Sequence, residues 1–286
     1  MRTDVRLPVR KTYKLFIGGA FPRSESGRSY VVTSVNGDFL ANAALGSRKD
    51  VRDAVAAARK AQPGWAGRTA YNRGQILYRI AELLEGRRAQ FAAEVADAGI
   101  DAAEVDAAID RWVWYAGWAD KLAQVHGNAN PVAGPYFNLS APEPTGVVGI
   151  VAPPDSALLG LVSVLAPAIV SGNTAVVLAA EERPLPAITL AEVLATSDLP
   201  GGVVNLITGR VAETAPWLAG HLDVNALDLT GVADPDLAVT LERDAAENLK
   251  RVRRPAEVPV DWNAEPGIDR MVAYLETKTV WHPKGV

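Results

Sequence analysis

The sequence predicts an α/β protein built on a doubly wound parallel sheet. From residue 143 onward, short runs rich in Val and Ile alternate with apolar segments of helix length. The runs are apolar on both faces, as in parallel strands that are covered by helices on both sides. The chain has 286 residues, of which 49% are hydrophobic and 22% charged, so it is large enough to bury such a sheet. Alternation of strand and helix is typical of doubly wound folds.

The N-terminal part predicts a hairpin followed by helices. Residues 13–21 and 28–35 predict two paired strands with a turn between them. Ser47, with Asp50 three residues later, predicts a capped helix start, and Pro63-Gly64 predicts the end of that helix. Further helices are predicted, in order, over residues 72–85, around 91–95 and over 102–124.

The longest predicted helix carries four aromatic residues around much of its circumference. They are Trp112, Trp114, Tyr115 and Trp118. Packing against neighbouring helices explains this distribution, and so does a surface for a partner protein, because Trp and Tyr are enriched in interface cores. Both interpretations stay open.

A strand-helix-strand unit over residues 143–178 forms the predicted centre of the fold. An apolar strand over 146–152 ends at Pro153-Pro154, and a helix over 157–170 leads to a second strand at 175–178. Ligands of such sheets bind at the carboxyl ends of the strands, which here means residues 152–156. The loop after the first strand is therefore the first place to look for a site.

The rest of the chain continues the alternation and then loses it. The elements predicted next are a helix over 184–197, a strand over 203–207, a helix over 212–220 and a strand over 226–229. Beyond Asp244 the sequence is charged, rich in proline and aperiodic. Its basic cluster suggests either anion binding or a solvated strand end, and consists of Lys250, Arg251, Arg253 and Arg254. The tail over 273–281 predicts a half-exposed strand without a sequence-adjacent partner.

Composition excludes several classes of function. The net charge of −4 is unlike the concentrated basic face of nucleic-acid-binding proteins. No apolar run reaches the roughly 20 residues of a membrane span, and the N-terminus shows no secretory signal, so we expect a cytoplasmic protein. The chain has no cysteine, which removes thiolate nucleophiles and thiolate metal ligands. Its three histidines lie far apart and predict no metal site.

Several motifs, in the same order along the chain, resemble the aldehyde dehydrogenase superfamily. They are the stretches 37–65, EPTGVVGIVAP at 143–153, LAPAIVSGNTAVV at 165–177, LPGGVVNLITG at 199–209, LTG at 229–231, AENLKRV at 246–252 and YLETKTVW at 274–281. The resemblance implies a Rossmann-like cofactor domain with a helical N-terminal region, formed by residues 13–132 and 145–252. It also implies an oligomerisation arm and C-terminal strand, formed by residues 133–144 and 272–283.

The resemblance fails where the family carries its chemistry. Family members use a catalytic cysteine, a general-base glutamate and an oxyanion-stabilising asparagine. In this chain residues 253–271 stand where the family's catalytic domain follows, so that domain is expected to be absent. Asp155 occupies the asparagine position, and a carboxylate accepts hydrogen bonds but donates none. A lost oxyanion donor typically reduces the rate by ~10²–10³. We therefore expect no catalytic residues.

The family's cofactor contacts are also degenerate. Leu178 replaces a lysine that contacts the ribose, while Glu181 is kept. Asp234, Pro235 and Asp236 follow the LTG motif where a free helix N-terminus would meet a diphosphate. The positions that still match are taken as a vestigial site, and are Val151, Pro153, Glu181, Gly209, Thr230 and Gly231. We expect no bound cofactor. If the chain does bind one, we expect it to be NAD or NADP.

Three functions remain open from the sequence. The first is a catalytically inactive subunit that forms a hetero-oligomer with a full-length aldehyde dehydrogenase. The second is an NAD(P)-dependent oxidoreductase whose active site is completed by a partner. The third is a small-ligand-binding protein in which Asp155 and Ser156 hold a polar or cationic ligand.

Overall fold

A short antiparallel hairpin opens the structure, a computed structural model that describes residues 9–285. β1 (Ser29–Thr33) pairs with β2 (Phe39–Ala44). The predicted pairing of residues 13–21 with 28–35 is therefore wrong. Residues 13–21 form only isolated bridges, because Gly18 and Gly19 both adopt positive φ and turn the chain back on itself. Residues 1–8, which include part of the stretch searched for a secretory signal, lie outside the described residues.

Five helices follow the hairpin. They are α1 (Arg48–Ala66), α2 (Ala70–Gly86), α3 (Arg88–Asp97), α4 (Glu104–Trp118) and α5 (Leu122–His126). The Ser47–Asp50 capping box is present at the start of α1, as predicted. The predicted end at Pro63 is wrong, because α1 runs through the proline to Ala66. The indole of Trp65 holds this last turn in place, since it is buried and donates to the carbonyl of Ile169 at 2.8 Å.

The predicted helix over 102–124 is divided into α4 and α5. Trp112 and Tyr115 on α4 are buried, and Trp114 and Trp118 pack against the same core. The four aromatics are thus explained by packing within the chain.

Two strands then leave the body of the protein. β3 (Asn128–Asn130) pairs antiparallel with β4 (Tyr136–Pro144). Asparagine has a low strand propensity, and β3 forms because Asn130 donates from its amide to Asn138 at 2.7 Å and to Ser140 at 2.8 Å.

Five parallel strands form the central sheet, in the order β7-β6-β5-β8-β9. They are β5 (Val147–Val151), β6 (Thr174–Leu178), β7 (Val204–Ile207), β8 (Ala226–Asp228) and β9 (Arg251–Arg253). The helices that follow the first four are α6 (Leu159–Val170), α7 (Pro184–Leu194), α8 (Val211–Ala219) and α9 (Pro235–Ala245). Every residue of α6 is buried. The chain therefore has the doubly wound α/β fold that the sequence predicts.

The two faces of the sheet are covered by different helices. Helices α6 and α7, with α2, α3 and α4, pack on one face, while α1, α8 and α9 pack on the other. The strand order reverses between β5 and β8, because β6 and β7 lie on one side of β5 and β8 and β9 lie on the other. This reversal defines a crevice at the carboxyl ends of β5 and β8.

The C-terminal part returns to the strands that left the body. After α10 (Asp269–Val272), β10 (Leu275–Pro283) pairs with β4 along nine residues, from Leu275 opposite Pro144 to Pro283 opposite Tyr136. The resulting three-stranded sheet, β10-β4-β3, is called the arm. Within residues 9–285, no helix is long and apolar enough to cross a membrane.

Candidate functional site

The loops that follow β5 and β8 are in direct backbone contact. The amide of Gly231 donates to the carbonyl of Val151 at 3.1 Å. A Cβ atom on Gly231 would lie 2.1 Å from the carbonyl oxygen of Ala152, so only glycine fits at this position. The two loops thus touch at the carboxyl ends of β5 and β8.

The N-terminus of α6, which begins just after this loop, is occupied by a side chain of the protein itself. The carboxylate of Glu104 on α4 accepts from the amide of Leu158 and, at 2.8 Å, from the amide of Leu159. It also accepts from the hydroxyl of Ser156 at 3.0 Å. Ser156 in turn accepts from the amide of Gly160 at 2.6 Å. The donors that could hold an anionic ligand at this helix end are therefore used internally.

Asp155 lies at the surface of the loop and is covered from one side by the C-terminal segment. Its carboxylate accepts from the indole nitrogen of Trp262 at 3.1 Å. Trp262 belongs to residues 255–271, called the covering segment. The indole also lies over α6, where it would be 3.2 Å from a Cβ on Gly160. The covering segment therefore contacts the very loop in which the family resemblance places an oxyanion donor.

A buried carboxylate at the end of β8 anchors the end of the covering segment. Asp228 is fully buried and accepts from the guanidinium of Arg270 at 2.9 Å and from the hydroxyl of Tyr274 at 2.6 Å. The amide of Thr230 donates to the same carboxylate at 2.9 Å. Burial, together with the charge of Asp228, raises the pKa of Tyr274, so its hydroxyl remains a donor at neutral pH.

The carboxyl ends of β6 and β7 form a second polar region. Leu178 is buried, and the carboxylate of Glu181 forms an ion pair with Arg210. The hydroxyl of Tyr30 donates to the carbonyl of Glu181 at 3.2 Å. A cavity of about 420 Å³ opens here, between β1 and the loop after β6. Gly209 does not line this cavity, and a Cβ at its position would lie 2.9 Å from the amide nitrogen of Gly46.

The start of α9 carries its own capping carboxylate. Asp234 is the N-cap residue, and it accepts from the amide of Asp236 at 2.9 Å. Pro235 occupies the first turn and has no N–H group to offer. A negative charge therefore already stands at the positive end of this helix.

A larger cavity, of about 680 Å³, lies between the loops after β5 and β8 and the covering segment. Its charged lining groups are Asp155, Glu242, Arg254 and Glu257, and Arg254 is ion-paired with Glu242 at 2.9 Å. The uncompensated lining charges are thus carboxylates. Most of the remaining lining is apolar, supplied by prolines, valines and Trp262.

The site offers little chemistry of its own. The chain contains no cysteine, and the hydroxyl of Ser156 is already hydrogen-bonded to Glu104. No group of three acidic or histidine side chains within residues 9–285 is arranged to hold a metal ion. The arrangement provides carboxylates that accept hydrogen bonds, but no activated nucleophile.

The predicted site residues fall into two groups. Thr230, Gly231 and Asp155 line the larger cavity, and Val151 contacts Gly231, while Pro153 is buried beside them. Glu181 and Gly209 lie at the other end of the sheet edge. The sequence interpretation missed the residues that hold the loop after β5 and the covering segment in place, namely Glu104, Arg111, Asp228, Trp262, Arg270 and Tyr274. One of them had a visible signal, because an aspartate inside the buried strand Ala226–Asp228 needs a partner.

Comparisons with known proteins fit this architecture. The sequence profile described as "Aldehyde dehydrogenase family" matches residues 21–254. Among curated proteins, the mitochondrial benzaldehyde dehydrogenase of Antirrhinum majus is 34% identical over 262 residues, covering 88% of this chain and 48% of that protein. Human retinal dehydrogenase 2 is 33% identical over 252 residues, covering 85% of this chain and 48% of that protein. The chain spans about half the length of the curated relatives it matches.

Solved structures give the same result. HpcC from Thermus thermophilus superposes with a TM-score of 0.78 and 32% identity, covering 85% of this chain and 47% of that chain. The NAD+ complex of an aldehyde dehydrogenase from Bacillus cereus superposes with a TM-score of 0.78 and 27% identity, covering 85% and 50%. The match to the family profile ends at residue 254, just before the covering segment begins.

Proposed function

The chain belongs to the aldehyde dehydrogenase family, and we propose that it is a member without dehydrogenase activity that serves as a structural or regulatory subunit. The family's reaction begins with attack of a cysteine thiolate on the aldehyde, and this sequence has no cysteine. At the position of the family's oxyanion donor stands Asp155, whose carboxylate would repel a developing oxyanion. Nucleophile and oxyanion donor are therefore both missing.

The residues at the family's cofactor positions do not fit NAD or NADP. The carboxylate of Glu181, which the resemblance assigns to the cofactor, is held by Arg210, and Leu178 supplies no cation. Asp234 caps the helix that would meet the diphosphate. Like charges placed this close to a diphosphate destabilise its binding. We therefore include loss of the dinucleotide in the proposal.

The arm is the observation that supports the assembly role. Phe137, Leu139 and Val280 lie on one face of this sheet and are 57%, 45% and 37% exposed. The ammonium of Lys284 lies 4.7 Å from the centre of the Phe137 ring, yet more than half of that side chain stays exposed. The outer edge of β10 is also unpaired within the described chain. An exposed apolar face beside a free strand edge is a surface that proteins normally bury against another chain.

The family resemblance indicates which chain that is. In aldehyde dehydrogenases the arm pairs with the catalytic domain of a neighbouring subunit. This chain lacks the family's catalytic sequence between residues 253 and 271. In a pair of identical copies, neither copy would have a catalytic domain with which the other's arm could pair. We propose a full-length aldehyde dehydrogenase as the partner, in a hetero-oligomer.

Co-expression with full-length homologues from the same organism, followed by affinity purification and light scattering, tests the assembly role. We expect a stable hetero-oligomer, and we expect Phe137→Asp to abolish it. Val239→Asp is the matched control, because Val239 is 67% exposed on α9, away from the arm, and its replacement should leave assembly unchanged. A soluble, monodisperse homomer that co-purifies with none of the full-length homologues would rule out the proposal.

An activity assay separates the proposal from an enzyme completed by its partner. The hetero-oligomer is prepared with a partner whose own catalytic cysteine has been replaced by alanine. We expect no aldehyde-dependent reduction of NAD or NADP. Activity in this complex would show that the present chain contributes chemistry.

A second function is favoured by the larger cavity. Its volume of about 680 Å³ lies within the range of small-molecule sites, and its uncompensated carboxylates, including Asp155, favour an uncharged or cationic ligand. A thermal-shift comparison of aryl amines with the matching aryl carboxylates tests this function. Stabilisation by the amines that is lost in Asp155→Asn would support it, and no response would remove it.

A further inference from the structure

A third cavity, smaller than the two described above, lies beneath the covering segment and is lined by three guanidinium groups. Its volume is about 160 Å³. Arg111 comes from α4, Arg253 from β9 and Arg270 from α10, so three separate elements bring the positive charges together. The hydroxyl-bearing residues Tyr115 and Ser163 complete the inner wall.

Arg111 is buried without a carboxylate partner. It is 9% exposed, and its three hydrogen bonds go to neutral acceptors. One Nη donates to the hydroxyl of Ser163 at 2.7 Å, and the other donates to the carbonyls of Trp262 and Ala264 at 2.8 and 3.0 Å. Burial lowers the pKa of Arg111, which reflects the cost of holding an unpaired charge there. An anion in the cavity would supply the missing counter-charge.

The guanidinium groups of Arg253 and Arg270 also have N–H donors that are not used in hydrogen bonds within the described chain. Arg253 forms no ion pair with any residue of the described chain, although its neighbours Arg251 and Arg254 both do. Arg270 uses one Nη for Asp228 and Thr230, which leaves its second Nη and its Nε. Several N–H groups with the planar fork geometry that suits oxyanions therefore remain available.

Tyr115 adds a neutral donor. The residue is 1% exposed, and its hydroxyl has no hydrogen-bond partner among residues 9–285. Burial raises the pKa of Tyr115 to about 12, although the charges of Arg111, Arg270 and Arg253 oppose that shift. The hydroxyl is therefore protonated at neutral pH. It lies beside the cluster of cations, and no acceptor in the described chain takes its hydrogen.

Carboxylates also border this cavity, but they lie on its outer rim. Asp261, Glu265 and Asp269 are exposed to solvent, and none of them forms an ion pair with the three arginines. Asp228 already accepts from Arg270 and Tyr274. The inner wall thus presents donors, and solvent screens the acids at the rim.

We propose that this cavity binds a small oxyanion such as phosphate, sulfate or a short carboxylate, held by Arg111, Arg253 and the hydroxyl of Tyr115. The cavity volume of about 160 Å³ is well above the ~10–15 Å³ that one water needs, so the cavity has room for such an anion. The bound anion links α4 and β9 to the covering segment. Binding is independent of the subunit role, because none of these residues belongs to the arm.

Isothermal titration calorimetry of the full chain tests the site, with phosphate, sulfate and acetate as probes and sodium chloride holding the ionic strength constant. We expect Arg253→Ala to weaken binding by about tenfold or more, the usual effect of losing a charge-assisted hydrogen bond. Tyr115→Phe should weaken it less. Arg243→Ala is the matched control, because its guanidinium is 76% exposed on α9 and outside the cavity; it should leave the affinity unchanged.

The outcomes distinguish the sources of the anion. Phosphate and sulfate binding without acetate indicates a tetrahedral oxyanion, and acetate binding indicates a carboxylate ligand; either supports the site if Arg253→Ala weakens it. If Arg253→Ala fails to fold, Tyr115→Phe decides the same question. No heat from any probe at about 10 mM, or equal weakening in Arg243→Ala, would overturn the proposal.

Discussion

Replacement of Asp228 by asparagine tests whether one buried carboxylate fixes the C-terminal part of the chain to the sheet. Asparagine keeps the shape of the side chain but removes its charge. Arg270, whose side chain is 13% exposed, then loses its only ion-pair partner within the described residues, and the hydroxyl of Tyr274 loses a charged acceptor at 2.6 Å. Removing one member of a buried pair typically costs about 3–5 kcal/mol. Because a domain is stabilised by only about 5–15 kcal/mol, Asp228→Asn should be severely destabilised.

Urea unfolding at neutral pH measures this loss, and native-state hydrogen exchange locates it. Relative to the unmodified chain, Asp228→Asn should accelerate hydrogen exchange at the amides of residues 268–275 more than at the amides of β5 and β6. The double variant Asp228→Asn/Arg270→Met no longer carries an unpaired buried cation, so its loss should be smaller than the sum of the two single losses. A loss below about 1 kcal/mol in Asp228→Asn, or strictly additive losses, would refute the reasoning.

Three further predictions concern the neighbouring contacts. Gly231→Ala would place a Cβ 2.1 Å from the carbonyl oxygen of Ala152, so we expect a loss of about 3 kcal/mol or more in urea unfolding. Tyr115 has an ordinary pKa of 10.0 that burial raises to about 12, so the folded chain keeps a proton that the unfolded chain releases. Stability should therefore fall from pH 10 to 12, and less steeply in Tyr115→Phe. Glu104→Gln removes the charge at the N-terminus of α6 and should cost about 1 kcal/mol by the same unfolding assay.

Matched variants distinguish these effects from general ones. A Cβ added at Gly117 in α4 would meet no atom within 4 Å, so Gly117→Ala should stabilise the chain by about 0.5–1 kcal/mol. Tyr78 is 57% exposed, and Tyr78→Phe should leave the alkaline loss unchanged. Glu85 is exposed, and Glu85→Gln should be nearly neutral. Equal effects in a variant and its control would contradict the corresponding prediction.

Local sequence patterns predicted the central part of the fold. The strands and helix of residues 147–178 are buried along their whole length, and short apolar runs that alternate with apolar helices are typical of a parallel sheet covered on both faces. The Ser47–Asp50 capping box also needs no information from elsewhere in the chain. The strand at the end of the chain was recognised from its alternation, but its pairing with β4 depends on contacts across the fold.

Elements whose stability comes from distant residues were missed. The hairpin partner Phe39–Ala44 is mostly Ala and Asn, which have low strand propensity, and it is a strand because β1 pairs with it. α1 passes through Pro63 because Trp65 packs beneath α6. The covering segment is aperiodic, and its position depends on contacts with Arg111 and Asp228, which are distant in sequence.

The order in which the strands of the arm are synthesised restricts when it can be used. Residues 275–283 emerge after every other element described, yet they supply the partner of β4 along its whole length. At a translation rate of ~5–20 residues per second, synthesis of β10 begins roughly 7–26 seconds after β4 is complete. This interval is long enough for the central sheet to fold first. The three-stranded arm is therefore incomplete until β10 has been synthesised. The proposed hetero-oligomer should therefore assemble only after residues 275–283 have been synthesised and have paired with β4.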